Sequence, residues 1–211
     1  MIPKRFIRIW VGSKKIPARH EQWWQEFQEI HPGWKFTTLR DGSEEEFLSD
    51  DLLNIYYDGE SGAARSNVLR LGALHELGGV YIDTDVMPVR PLDPLLEDPR
   101  PFIGFATTNS LQNAVIASPP KHPAMKYLLD SLPEWYWNRL GQSQEVFRSG
   151  PQFTSAFWMD RIDVRRLEKD VFYPCRRIAM EKFILCAFSN PKTYAAHYGA
   201  ATWWKTKKEK R

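Results

Sequence analysis

The chain has 211 residues, 43% of them hydrophobic and 14% aromatic, and it carries a formal net charge of +3. This composition predicts one folded domain over residues 1–211 with a sizeable core, and it excludes extended disorder over most of the length. It also excludes a spanning helix, because no apolar stretch approaches about 20 residues. Acidic and basic residues are too nearly balanced for a dedicated nucleic-acid binder.

The N-terminal part of the chain predicts a strand, a helix and a second strand. Residues 5–11, RFIRIWV, are rich in isoleucine, valine and aromatic side chains and are typical of a short strand. Trp23, Phe27 and Ile30 then recur at helical spacing. Residues 34–39, WKFTTL, predict the second strand. This order of elements is that of a βαβ unit.

The segment 61–79, SGAARSNVLRLGALHELGG, predicts a long central helix. Ser61 is a suitable N-cap, because its side-chain oxygen can accept from a backbone N–H that the first turn leaves free. Gly78 and Gly79 predict the end of the helix, since glycine tolerates the positive φ of a left-handed stop. The residues VYI follow at once and predict a strand that leads to Asp83.

The second half of the chain predicts further strands mixed with helices. Strands are expected at 101–106, 113–118, 171–175 and 193–199, and helices at 122–132 and 150–162. Strands and helices in this mixture are typical of the α/β class, with a mainly parallel, Rossmann-like sheet flanked by helices.

Cys175 and Cys186 are the two cysteines of the chain. Their spacing indicates neither a metal pair nor a disulfide framework, so we expect two reduced thiols. The apolar run at the N-terminus is too short and too interrupted for a signal peptide. These features together predict a cytoplasmic protein.

Two aspartates, Asp83 and Asp85, follow the strand VYI with one residue between them. Residues two apart on a strand point to the same side, and ligands of open α/β sheets bind beyond the carboxyl ends of the strands. Two carboxylates this close repel each other unless a cation lies between them, and oxygen ligands suit Mg²⁺ or Mn²⁺. The pair therefore predicts a divalent metal ion that carries a diphosphate substrate.

The longer stretch AARSNVLRLGALHELGGVYIDTDV resembles the signature of glycosyltransferase family 32. This family of DxD sugar transferases includes capsule and mannan synthesis enzymes and is related to the clostridial glucosylating toxins. Further segments fall in the family's order and cover nearly the whole chain: IPKRFIRIWVG, FIGF, QNAVIAS, HPAMKYLL, SGPQFT and AAHYGAATWW. The resemblance implies a GT-A fold and a retaining transfer of sugar from a nucleotide-diphospho-sugar, with a UDP-sugar favoured and GDP-mannose as the other donor, to a glycan or other hydroxyl acceptor.

The resemblance also implies roles for individual residues. It places Asp85 and His197 on the metal, which would be Mn²⁺ or Mg²⁺. It gives catalytic roles to Asp83, Asp85, Arg70 and Asn67. It places six residues on the nucleotide sugar: Trp10, stacked on the base, with Val11, Tyr81, Asp83, Thr202 and Trp203. Gly150 and Pro151 would form the floor of the acceptor cleft. From the residues alone, a core position is favoured for Trp10, and a histidine that binds no metal is favoured for His197.

Two positions depart from the family's pattern. Asn67 stands where the family usually has aspartate; asparagine keeps a hydrogen-bonding oxygen but loses the charge, so donor choice or rate is expected to differ. Ile7 stands where the first strand often has histidine. No compelling carboxylate nucleophile is found outside the DxD pair, and Asp160 and Glu181 stay unassigned.

Two other function classes stay open. A haloacid-dehalogenase-type phosphohydrolase also places Asp-x-Asp after an apolar strand, but no convincing later acidic pair with a lysine follows. A non-catalytic, basic and aromatic-rich binding module for nucleic acid or polysaccharide is the second, and Asn67 is its best support. We expect no nucleic-acid partner. The basic C-terminal tail, WWKTKKEKR, is either a solvated end or a peripheral contact to an anionic membrane surface.

Overall fold

The computed structural model describes residues 1–141, 148–176 and 178–200. The strands are β1 (Arg5–Ile9), β2 (Lys35–Leu39), β3 (Gly79–Ile82), β4 (Val86–Pro88), β5 (Phe102–Thr107), β6 (Ser110–Ser118), β7 (Arg165–Leu167) and β8 (Ala195–His197). The helices are α1 (Ala18–Ile30), α2 (Glu44–Phe47), α3 (Asp50–Asp58), α4 (Gly62–Leu77), α5 (Pro123–Trp137), α6 (Pro151–Trp158), α7 (Lys169–Phe172) and α8 (Met180–Ser189), and a 3₁₀ turn spans Asp93–Leu96. None of these helices combines the length and apolar character that crossing a bilayer requires.

Six of the strands form one sheet in the order β2-β1-β3-β6-β5-β7. The pairs β1/β2, β1/β3 and β5/β7 are parallel, and β6 runs antiparallel to both β3 and β5. All strands of this sheet except β6 therefore run in one direction, which confirms the predicted mainly parallel sheet. The predicted βαβ opening is β1-α1-β2, and the short strands β4 and β8 form a separate antiparallel ladder.

Both faces of the large sheet are covered, and the side chains of its central strands β1, β3, β6 and β5 divide between two cores. Ile7, Tyr81 and Ile116 belong to the core that contains residues of α3, α4, α5 and α6. Phe6 and Val80 belong to the opposite core, which contains Trp24, Phe27 and Phe172 from α1 and α7. Strands buried on both faces read as continuous apolar runs, which explains why the segments VYI and AVIA show no polar alternation.

Helix α4 begins and ends as its sequence predicts. The Ser61 side chain accepts a hydrogen bond from the Ala64 N–H at 3.1 Å, as an N-cap does. Gly78 and Gly79 have φ values of 60° and 110°. A Cβ on Gly79 would also meet the carbonyl oxygen of Arg5 at 2.7 Å, so glycine is required both for the turn and for the approach of β3 to β1. The helix thereby delivers the chain directly into β3.

The structure corrects two predictions for the region 171–186. Residues 171–175 are not a strand: α7 ends at Phe172, and the short helix places Phe172 against Phe102 of β5, with ring centroids 6.0 Å apart. A short apolar run fits either conformation, and here burial of Phe172 and Tyr173 decides it. Cys175 and Cys186 are not reduced thiols but form a disulfide, because the chain turns back after α7 and brings their Cα atoms to 6.2 Å.

Gly72 is the point where α4 passes closest to the end of α2. A Cβ at this position would meet the carbonyl oxygen of Phe47 at 2.5 Å and the Leu48 Cδ2 at 2.7 Å. Alanine usually stabilises a helix interior by about 1 kcal/mol over glycine. We nevertheless expect Gly72→Ala to lower the free energy of unfolding by about 2 kcal/mol, because the main chain of residue 47 cannot move aside cheaply.

Urea denaturation measures this effect, with Gln25→Ala on the exposed side of α1 as the control that changes stability by less than about 0.5 kcal/mol. A Gly72→Ala variant as stable as the wild type would show that the two helices are not packed as closely as described.

Candidate functional site

A cavity of about 470 Å³ opens at the carboxyl ends of β1 and β3. Strand β6 runs in the opposite direction, so its first residues lie at the same edge of the sheet. Three segments of the chain border the cavity: residues 9–14 at the end of β1, residues 60–63 at the start of α4, and the turn 83–85. The wall also includes one side of α4, Gln112 and Asn113 of β6, and Pro151, His197 and Gly199. The cavity lies where ligands bind in open α/β sheets.

Asp83, Asp85 and His197 form a cluster at one end of the cavity. One ligand atom from each residue lies within 4.8 Å of the other two. Strand β3 ends at Ile82, so the two carboxylates converge through the turn after the strand and not through strand alternation. His197 reaches them because β8 pairs with β4 and sets His197 opposite Val86. The structure thus joins the predicted acidic pair to the predicted histidine.

Asp85 is held in place by the segment that contains His197. The His197 Nε2 lies 3.3 Å from Asp85 Oδ1, and the Ala200 N–H donates to Asp85 Oδ2 at 2.6 Å. Burial raises the pKa of Asp85, but the charge and hydrogen bond of His197 and the Ala200 N–H outweigh it and bring this pKa to about 2. Burial lowers the pKa of His197, and Asp85 more than offsets it, so the net shift is upward. Carboxylate oxygens with one imidazole fit Mn²⁺ or Mg²⁺ as a ligand set.

Arg70 lies almost fully buried beneath the carboxylates, with 4% of its surface exposed. Its Nη2 is 3.3 Å from Asp83 Oδ1, its Nη1 donates to the carbonyl of Asn113 at 2.6 Å, and its guanidinium stacks 4.3 Å from the Tyr81 ring centre. The Tyr81 hydroxyl also donates to Asp83 Oδ1, at 2.6 Å. Burial raises the pKa of Asp83, and Arg70 opposes this shift. Arg70 and Tyr81 therefore fix the direction of Asp83.

Asn67 lies one helical turn before Arg70 and borders the same cavity. Its Oδ1 accepts a hydrogen bond from the Asn113 side-chain amide at 3.1 Å, and both residues are buried. The side-chain oxygen that asparagine keeps at this position is therefore engaged with β6. Asn67 and Asn113 thus form a neutral amide pair at the edge of the cavity.

Trp10 and Val11 border the opposite end of the cavity. Trp10 is partly exposed and is not a core residue; its indole N–H donates to the carbonyl of Lys14 at 2.5 Å, which holds the ring across its own loop. The Gly12 N–H donates to the Asp41 carboxylate at 2.8 Å. The start of α4 lies next to this loop, since a Cβ on Gly62 would meet the carbonyl of Val11 at 2.8 Å.

The structure places one of the other residues singled out from the sequence at the cavity, places two away from it, and does not describe two more. Thr202 and Trp203, like the whole basic C-terminal tail, fall outside the described residues. Pro151 borders the cavity as the first residue of α6, directly after Gly150. Within residues 1–141, 148–176 and 178–200, neither Asp160 nor Glu181 borders it.

Sequence reasoning missed several polar residues that border the cavity, among them Glu60, Ser66, Gln112 and Asn113. The adjacent polar pair Gln112 and Asn113 begins the apolar run of β6, and this is a signal that was available. Its use would have required knowing that β6 runs antiparallel, which places its first residues at the binding edge.

The chain is similar in sequence to known glycosyltransferases. Residues 17–101 match the family model described as a glycosyltransferase sugar-binding region containing a DXD motif. The chain is 27% identical over 161 residues to inositol phosphoceramide mannosyltransferase 3 of Schizosaccharomyces pombe, covering 74% of this chain and 45% of that protein. It is 29% identical over 163 residues to mannosyl phosphorylinositol ceramide synthase SUR1 of Saccharomyces cerevisiae, covering 75% and 42%. The chain thus spans less than half the length of these relatives.

Solved structures share the fold. The PaToxG glycosyltransferase superposes with a TM-score of 0.63 at 17% identity, covering 76% of this chain and 69% of that one. The UDP-bound glycosyltransferase domain from the YGT toxin superposes with a TM-score of 0.61 at 11% identity, covering 78% and 79%. The predicted GT-A fold and the resemblance to DxD sugar transferases are both confirmed.

Proposed function

We propose that this chain, a DXD-containing glycosyltransferase of the GT-A fold, uses a divalent metal ion to transfer a sugar from a nucleotide-diphospho-sugar to a hydroxyl acceptor. One observation carries the proposal: Asp83, Asp85 and His197 converge at one end of a cavity whose other end is bordered by Trp10 and the start of α4. Residues 1–211 would act as one GT-A domain in this reaction.

Asp85 and His197 would hold the metal directly, with Asp83 beside them. When bound, the ion would supply positive charge that stabilises the departing diphosphate. The imidazole favours Mn²⁺, because Mg²⁺ prefers ligand sets made of oxygen alone. Asp85, with its pKa of about 2, is ionised at neutral pH and needs no proton loss before it binds a cation.

The donor would lie along the cavity from Trp10 to the carboxylates. The partly exposed Trp10 ring offers a face on which a base can stack, with Val11 beside it. Asn67, Arg70 and Tyr81 border the part of the cavity that leads to Asp83 and would meet the sugar and ribose. Arg70 adds a fixed positive charge there, in a buried setting where its effect is strong.

The identity of the donor rests on two separate considerations. The sequence resemblance favours a UDP-sugar, and one structural neighbour is UDP-bound. The relatives are mannosyltransferases by name, which supports transfer of mannose and hence GDP-mannose. The same two names mention inositol phosphoceramide and its mannosylated form, so we propose an acceptor that presents inositol-like ring hydroxyls.

Retention of the anomeric configuration is proposed to follow a front-face route. A double displacement needs a free carboxylate at the anomeric carbon. Among the described residues that border the cavity, the carboxylates are Glu60, Asp83 and Asp85. Asp83 is held by Arg70 and Tyr81, and Asp85 is held by His197 and Ala200. Glu60 lies at the nucleotide end, beside the cap of α4. We therefore propose that an oxygen of the donor's diphosphate helps to accept the proton of the acceptor hydroxyl.

Turnover separates this function from its alternatives. We test the purified chain with Mn²⁺ and either UDP-glucose or GDP-mannose, and we measure release of the nucleoside diphosphate. Release from either donor supports the transferase and identifies the base. Phosphate release from phosphomonoesters, with both nucleotide sugars intact, would favour the phosphohydrolase instead. Binding of nucleotide without any turnover would favour the binding module.

Replacement of Trp10 tests the nucleotide end of the cavity. We expect Trp10→Ala to weaken binding of the nucleoside diphosphate roughly tenfold or more, because stacking on one base contributes about 1–3 kcal/mol. Affinity for Mn²⁺ alone should stay unchanged, since the metal cluster lies at the other end. Isothermal titration calorimetry measures both, and Trp137→Ala, an exposed tryptophan of α5, is the matched control. Unchanged nucleotide affinity in Trp10→Ala would place the base elsewhere.

The cellular location remains a proposal. The sequence predicts the cytoplasm, with a peripheral membrane contact through the tail, which lies outside the described residues. The Cys175–Cys186 disulfide weighs against a reducing compartment, where such bonds are rare.

A further inference from the structure

The segment 195–200 forms one side of the proposed metal site, the cluster of Asp83, Asp85 and His197. It provides His197, it donates the Ala200 N–H to the Asp85 carboxylate, and it donates the Tyr198 N–H to the Asp85 main-chain carbonyl at 2.9 Å. Its own backbone support is the ladder of β8 with β4, which pairs three residues on each strand. A two-stranded ladder of this length is marginal by itself. The position of His197 therefore depends on side-chain packing behind the ladder.

Tyr198 provides part of that packing, beside the edge-on contact of the Tyr173 ring with His197 at 5.7 Å. The Tyr198 ring meets the Phe183 ring edge-on at 5.0 Å on one side and the Trp23 ring at 6.3 Å on the other. Phe183, Trp23, Met87 and Ala196 form one buried cluster, against which Tyr198 packs. Tyr198 thus joins the residue next to His197 to both α1 and α8. A displacement of α8 would therefore also displace Tyr198.

Helix α8 has few other attachments among the described residues. Of its ten residues, Phe183 and Ala187 are buried, and Ala179 at its N-cap makes no side-chain capping bond. Leu185 and Phe188 face solvent, with 67% and 55% of their surfaces exposed. The disulfide from Cys186 to Cys175 ties the middle of the helix to the end of α7 across 11 residues. This covalent bond is the firmest constraint on the place of Phe183.

We propose that the Cys175–Cys186 disulfide and Tyr198 are positioning elements of the metal site: the bond fixes α8, α8 fixes Tyr198, and Tyr198 holds His197 and Ala200 against Asp85. Metal affinity then depends on the redox state of two cysteines that do not themselves border the cavity. A dithiol reductant would break the S–S bond; the bond takes up two electrons and two protons to give two thiols, and the dithiol closes to its own disulfide. This proposal rests on the proposed function of the cluster as a metal site.

The test compares Mn²⁺ affinity, by isothermal titration calorimetry, in the wild type and in the double variant Cys175→Ser/Cys186→Ser. Non-reducing peptide mapping first verifies the bond in the wild type. We expect the double variant to bind Mn²⁺ roughly tenfold more weakly, as loss of a group that orients a ligand does. Leu185→Ser, on the exposed side of α8, is the matched control and should bind like the wild type. Equal Mn²⁺ affinity in the double variant, or peptides that show no bond in the wild type, would overturn the proposal.

Tyr198 gives a second, independent arm. We expect Tyr198→Phe, which keeps the ring contacts, to retain wild-type Mn²⁺ affinity, and Tyr198→Ala to lose roughly tenfold. Amide hydrogen exchange without metal supplies a readout that does not depend on binding. The Tyr198 and Ala200 amides should exchange faster in the double variant, while those of β1 and β3 stay protected. If the wild type binds no Mn²⁺, the proposed function fails, and exchange at these two amides still decides whether the disulfide positions the segment.

Discussion

We expect the Asp85→Asn variant to lose about a thousandfold in turnover while it keeps its fold. Asparagine has the shape of aspartate but not its charge, so the cluster loses the carboxylate that is ionised with a pKa of about 2. The amide oxygen can still accept from the Ala200 N–H, but the amide NH2 that then faces His197 cannot accept a hydrogen bond from a protonated imidazole. A bound metal contributes several kcal/mol by stabilising the charge that develops in the transition state. Loss of that contribution lowers the rate by about this factor.

Two measurements check this prediction. Release of the nucleoside diphosphate from the nucleotide sugar gives turnover, and the rise in melting temperature on addition of Mn²⁺ reports metal binding to the folded state. Both should vanish in Asp85→Asn, with a far-ultraviolet circular dichroism spectrum like that of the wild type. Asp130→Asn is the control, since Asp130 is an exposed residue paired with Lys126 on α5. Full turnover of Asp85→Asn, or of the wild type in excess chelator, would contradict a metal-dependent function.

Arg70→Ala is expected to damage both stability and activity. It removes the cation beside Asp83 and leaves the carbonyls of Ser66 and Asn113 without this donor. Breaking a buried ion pair costs about 3–5 kcal/mol, and we expect the lower value because 27% of the Asp83 side chain is exposed. For a chain of this length about 3 kcal/mol lowers the melting temperature by roughly 6 to 12 °C. Turnover should fall by about a hundredfold or more, since Arg70 also borders the donor cavity.

A double-mutant cycle separates the charge effect from simple loss of packing. Asp83→Asn combined with Arg70→Ala removes both charges, and we expect the pair to couple by about 1 kcal/mol or more in urea denaturation. Arg70→Lys keeps the charge without the fork of donors and should lie between the wild type and Arg70→Ala. Strict additivity of the two single variants would show that Arg70 does not neutralise Asp83.

The local chemistry of the sequence was sufficient for the elements that carry their own start and stop signals. The βαβ opening and α4 were predicted because periodicity, the Ser61 cap and the glycines at 78 and 79 each act over a few residues. The acidic pair Asp83 and Asp85 could likewise be predicted, because it directly follows an apolar strand. The family resemblance then named Trp10 and Arg70, which do border the cavity.

Short apolar runs did not carry such signals. Residues 171–175 fitted a strand as well as a helix, and the contact of Phe172 with β5 made them helical. Helix α3 was not foreseen, although its buried residues Leu52, Ile55 and Tyr56 recur at helical spacing. For residues 171–175, packing against a distant part of the chain decided the local conformation.

By itself, then, the sequence determined the sheet-and-helix class, the central helix and the acidic turn that follows β3, because these depend on interactions between near neighbours in the chain. Only the tertiary structure decided that β6 runs antiparallel, that Cys175 meets Cys186, and that Ala200 contacts a carboxylate 115 positions earlier. Such contacts depend on how the two cores close on the sheet, and no local pattern of side chains specifies which distant partners that closure brings together.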